Sequence, residues 1–183
     1  MAAASPANAD TPHGATATGI IYGLNAYAVD SSNSTAFFRG DLVAMETDGN
    51  VIPSAASSTH VVGAVESVTS ISTAAKTLLA ASTAGTVLCH YHRSQQYYMQ
   101  NDDGTVNTAI YGANADISVT NHTGNTNTGI SGQELDASTV NTTAGLLMRI
   151  HGLLNRSDNL IGDHAELVCT INGHFETAGT AGI

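Results

Sequence analysis

What most constrains this chain is a series of strand-length runs rich in Val, Ile, Leu and Thr, each closed by Gly, Asn, Asp or Ser. They occupy residues 61–68, 86–92, 115–120, 146–154 and 166–171. Runs this short and this rich in β-branched residues favour strands over helices. Another run, 41–51, is divided by Asp48-Gly49, a dipeptide that supplies the positive φ angles of a tight hairpin. Asp103-Gly104, between 96–100 and 106–111, gives a second hairpin signal. The spacing predicts an all-β fold, a barrel or sandwich of short antiparallel strands with hairpins.

Side-chain alternation assigns faces within the last two runs. In 146–151, Leu146, Met148 and Ile150 form the expected core face, opposite Leu147, Arg149 and His151. In 165–171, Ala165, Leu167, Cys169 and Ile171 point together, opposite Glu166, Val168 and Thr170. Cys169 therefore reads as a small buried hydrophobe, and Cys89 and Cys169 are expected to remain thiols. The segment 72–82, STAAKTLLAAS, has the composition of one short helix, with an extended loop or strand edge as the alternative.

With 183 residues the chain is long enough for one core without a disulfide or metal staple. Residues 1–19, rich in Ala, Thr, Pro and Gly, read as a flexible N-terminal arm; 20–175 as a single β domain; 176–183 as a C-terminal tail. The arm does not read as a secretory signal, and no run is apolar enough to span a bilayer. Five Lys plus Arg against 15 Asp plus Glu give a net charge of −10, and the five cations are scattered singly. That excludes the clustered cations which a nucleic-acid backbone requires.

Residues with catalytic or metal-binding chemistry are present without a completed pattern. His90 and His92 would project to the same side of a strand and could share a metal, but two ligands are too few. His122, His151, His164, His174 or Glu166 would have to be brought in by the fold. Gly129-Ile130-Ser131-Gly132 has the wrong spacing for a nucleophile elbow. Asp102-Asp103-Gly104 and Ser157-Asp158-Asn159 read as turns and do not continue into a calcium loop. No phosphate-binding glycine loop or dinucleotide fingerprint occurs, and the sequons at Asn33, Asn121, Asn141 and Asn155 match chance for 14 Asn. No catalytic, cofactor-binding or metal site is assigned.

Several segments are similar to those of a known family: LLAASTAGTVLC (78–89), NADISV (114–119), TGISGQELDASTVNTT (128–143) and LLMRIHGLLNRSDNLIGDHAELVCTINGH (146–174). They resemble head decoration, or cement, proteins of tailed bacteriophages, whose relatives share the arginine, Asp-Asn and Ile-Gly pattern between two strands. FRGDLVAMETDGNVIPSAASSTHVVGAVESV (38–68) resembles a general decoration-protein module. The chain departs from those relatives at His90 to Ser94 and at Ser157, where they tend to carry acidic residues or Pro.

The resemblance implies a non-enzymatic virion protein, made in the host cytoplasm, that binds the capsid exterior where subunits of the major capsid protein meet. It also implies self-association, a homotrimer before a dimer, with the N-terminal arm as a clamp. Another virion component, such as a tail or head-completion protein, is the alternative, ahead of a polysaccharide hydrolase. Arg149 and Arg156 are expected to pair within the chain, with Asp158 or Asp163 as partner, ahead of serving as interface anchors. Tyr91, Tyr97 and Tyr98 would serve as a contact surface or as part of a sheet.

Overall fold

The computed structural model describes residues 8–56, 58–70, 78–102, 106–118, 124–177, 179 and 182. Its strands are β1 (Thr16–Thr18), β2 (Leu24–Val29), β3 (Phe37–Phe38), β4 (Leu42–Met45), β5 (Val51–Pro53) and β6 (Val61–Ser70). There follow β7 (Leu78–Leu79), β8 (Gly85–His90), β9 (Gln96–Gln100), β10 (Asn114–Ala115), β11 (Met148–Leu153) and β12 (Glu166–Ile171). Every pairing between these strands is antiparallel. They form two open five-stranded sheets, ordered β1-β9-β12-β11-β10 and β2-β8-β6-β4-β5, plus the pair β3-β7. The expected all-β class holds, and of its two architectures the arrangement is the sandwich.

The strongest sequence signals fold as read. Asp48-Gly49 turns β4 into β5, with Gly49 at φ 87°. β6 then returns beside β4, displaced by a bulge that separates Val43 from Ala44 in the pairing. Gly63 is required where β6 meets β8, because a Cβ there would overlap the His90 carbonyl oxygen.

Two apolar clusters share the second sheet as a common wall. Leu42, Val61 and Ala64 face Tyr97, Met99, Met148, Ile150, Leu167 and Cys169 of the first sheet. Val43, Val65, Val87 and Cys89 point the other way, toward Phe37 and Leu79 of the small β3-β7 pair. Neighbours such as Leu42 and Val43 are thus buried on opposite faces, which explains the near-continuous apolar runs in β4 and β6.

Several expectations are corrected. Residues 8–19 are not a free arm: Thr16–Thr18 is the edge strand beside β9, and Ala15 is buried in the core. Residues 106–111 form no strand; Asn107 instead caps a 3-10 turn at Thr108–Ile110, and Asp103-Gly104 lies outside the described residues. Of the expected helix, 72–77 lies outside the described residues, Leu78–Leu79 is a strand edge, and Ala81-Ser82 is a turn. Leu147 is fully buried while Leu146 is only half-buried, because the chain bends before β11 and the Asp116 carboxylate accepts the Leu147 N–H. In the expected tail, Thr177 bonds back to the His174 carbonyl and Gly182 to that of Thr142.

Candidate functional site

The docked N-terminal segment roofs a cleft of about 320 Å3 at the junction of the two sheets. Two of the chain's five cationic residues, Arg39 and Arg156, line it. Each shares a carboxylate with an imidazole. Glu166 lies 3.2 Å from His13 Nε2 and 3.7 Å from the Arg156 guanidinium. Glu66 lies 3.6 Å from the Arg39 guanidinium and 3.3 Å from His90 Nε2.

Burial alone would raise the Glu166 carboxyl pKa; the hydrogen bond and charge of His13, with the charge of Arg156, hold it below its ordinary value. The Tyr98 ring meets His13 edge-on at 5.1 Å between centroids. Thr16 Oγ1 stands 3.3 Å from His13 Nδ1, so a hydroxyl, an imidazole and a carboxylate lie in series along the cleft. This arrangement can hold a proton between His13 and Glu166 and can offer two guanidiniums to an acidic group from outside. Sequence reading missed it: Glu166 alternates away from the β12 core face, and its neighbours His13 and Arg156 come from segments remote from it in the pattern of the strand.

The residues singled out from sequence are dispersed. β8 ends at His90, so the alternation that would align His90 with His92 stops there. His90 turns to Glu66, whereas His92 stacks on Tyr22 with centroids 4.0 Å apart and planes 10° from parallel. His151 contacts Thr170 Oγ1 at 3.0 Å. His174 donates from Nε2 to the Tyr91 carbonyl and accepts the Glu176 N–H at Nδ1, the neutral form that burial favours. His122 lies outside the described residues.

Arg156 does pair within the chain, its Nε 2.7 Å from Asp158 Oδ1. Arg149 sits half-buried in β11, in register with Asn114 and Thr170. Tyr97 is a core residue whose hydroxyl donates to the His90 carbonyl; Tyr91 and Tyr98 are half-buried. Cys89 and Cys169 are free, buried thiols in different clusters. Burial raises both thiol pKa values, Cys169 to about 12.

The second surface of note is apolar. Ile20, Ile21, Tyr22 and Leu24 are 72%, 53%, 44% and 45% exposed, a concentration that soluble surfaces seldom leave uncovered. They lead into the exposed Ala26 and Ala28 of β2, an edge strand with one side of its backbone unpaired within its sheet. Residues 11–29 contain no Asp, Glu, Lys or Arg, so this strip is uncharged on a strongly acidic protein.

No helix among the described residues is long and apolar enough to cross a membrane. Two open, packed antiparallel sheets make this an all-β sandwich by architecture. Compared with known proteins, the chain matches no family model and no curated sequence.

Proposed function

We propose that this protein is a non-enzymatic capsid decoration, or cement, protein that binds the outside of a tailed-phage head. Its partner is the major capsid protein, met at junctions between capsid subunits, and its own copies associate there, as a trimer first. The observation that carries the reading is the exposed, uncharged strip Ile20, Ile21, Tyr22 and Leu24 beside an open sheet edge. Such a strip gains by being covered with protein, because its apolar surface leaves water without stranding a charge.

The segment similarities given above supply the capsid as partner. The scattered cations argue against nucleic acid. Many copies on a symmetric shell would each contribute modest binding, reinforced by multivalency within an oligomer.

The test mixes purified protein with undecorated phage capsids and images the product by electron cryomicroscopy. Added density outside the shell at subunit junctions is expected. A shell surface without added density overturns the reading, and density confined to the tail or portal would move the protein to another part of the virion.

A further inference from the structure

We propose that Asp10, Glu134 and His164 bind one first-row divalent transition-metal ion, which fastens the N-terminal segment to the end of β9. The three residues are far apart in sequence, yet one ligand atom from each lies within 4.8 Å of the other two. His164 Nδ1 is 4.0 Å from Asp10 Oδ1. Glu134 is buried at the base, His164 half-buried at the side, and Asp10 exposed at the rim.

The end of β9 organises this convergence. Leu135 donates its N–H to the Gln100 carbonyl, and Asn101 donates to the Ala165 carbonyl, so Glu134 and His164 each sit one residue from a fixed backbone contact. The buried Gln100 side chain adds the third segment. Its Nε2 donates to the carbonyls of Ala9 at 2.7 Å and His164 at 3.1 Å, while its Oε1 accepts the Thr11 N–H at 2.9 Å. Both neighbours of Asp10 and the backbone of His164 are therefore held by one amide. Asn8 adds bonds to the carbonyls of Leu160 and Asp163.

The donor set selects the ion. One imidazole with two carboxylates suits zinc, cobalt, nickel or manganese, whereas calcium and magnesium take oxygen ligands. Three protein donors leave at least one position for water. Two carboxylates this close in a chain of net charge −10 repel each other, and a divalent cation turns that repulsion into attraction. The other convergent group, Asp30, Glu46 and Asp48, differs in kind: it offers oxygen only, and Asp30 and Asp48 cap their own turns at Ser32 and Asn50.

The experiment uses untagged, full-length protein stripped with a chelator. Zinc and cobalt are titrated by calorimetry, cobalt also by visible absorption, with calcium and magnesium in parallel. One zinc or cobalt per chain is expected, bound at least tenfold more weakly by Asp10→Asn and about 100-fold more weakly by His164→Ala. Asp30→Asn should bind as the parent does. Because Asp10 is exposed, Asp10→Asn should melt like the parent in chelator, which separates lost ligation from lost folding. Three results overturn the proposal: no stoichiometric zinc or cobalt binding, binding indifferent to both ligand substitutions, or equally tight calcium binding that survives His164→Ala.

Discussion

The Ser131 hydroxyl donates to Asp41 Oδ1 at 2.6 Å inside the protein, tying the loop before β11 to the tight turn that opens β4. Asp41 is almost fully buried, and its other oxygen accepts the Phe38 N–H at 2.7 Å. Desolvation outweighs both hydrogen bonds and pushes its pKa up to about 7. A carboxyl whose folded pKa is raised binds a proton on folding. Its contribution is fully present below the unfolded value of about 4 and is lost as pH rises toward 7. Between about pH 4 and pH 7 Asp41 therefore contributes a fall in melting temperature as pH rises, and Asp41→Asn should remove that component of the slope. Differential scanning calorimetry across the range checks it; equal slopes for parent and variant would exclude Asp41 as the cause.

Glu166 has the opposite sign. Its folded pKa lies below the ordinary value, so its contribution is present above the unfolded pKa and disappears as pH falls through the folded one. Glu166→Gln should weaken the acid-side loss of stability. His13→Ala, which removes one partner of this buried carboxylate, should cost about 1–2 kcal/mol in urea unfolding at pH 7. Asp41 and Glu166 thus act in opposite senses, one losing its contribution as pH rises and the other as pH falls.

The series Thr16, His13 and Glu166 has the order of a hydroxyl, a base and an acid. On the non-enzymatic reading it fastens the N-terminal segment, so the parent should release nitrophenol from activated esters no faster than His13→Ala does. A rate in the parent ten or more times that of the variant would call for a catalytic account.

If the proposed decoration role holds, replacing Ile21 and Leu24 by Asp should abolish capsid binding without changing the melting temperature by more than about a degree or two. Both side chains are already exposed, so the folded domain loses little packing. Cosedimentation with capsids, beside a melting curve, gives both answers. Binding that persists in the double variant would put the contact elsewhere.

Gly63→Ala is expected to cost several kcal/mol or prevent folding, because the added methyl meets a backbone oxygen on the neighbouring strand and no side chain can yield. Cys89 and Cys169 should resist thiol reagents in the native protein and both react in denaturant. Mass spectrometry after alkylation distinguishes this from a disulfide, which would leave both unmodified under non-reducing denaturation.

Much of the strand content was legible because it rests on local rules. Asp48-Gly49 specifies a hairpin whatever surrounds it, and alternation in 165–171 places Ala165, Leu167, Cys169 and Ile171 in the core. What escaped depends on partners remote in sequence. Thr16–Thr18 is too short, and too closely framed by Gly14 and Gly19, for its two β-branched residues to mark a strand, and the strand exists because Tyr98, Tyr97 and Gln96 offer a free edge. The same docking brings His13 to Glu166 and Asp10 to His164, so both charged clusters were hidden for one reason. His90 and His92 fail in the other direction: their spacing suggested a pair, but the strand ends between them.

β9 lies between β1 and β12, with Thr16–Thr18 on one side and Glu166–Ile171 on the other. Its two neighbours thus come from segments far apart in sequence, one well before β9 and one well after it. While the chain emerges from a ribosome, Tyr97 and Tyr98 can pair with β1 at once but must wait for the whole stretch from Asn101 to Ala165 before β12 pairs with them. Until Glu166–Ile171 arrives, β9 keeps one backbone edge open, and a chain interrupted before Glu166 would leave that edge free to pair with other chains.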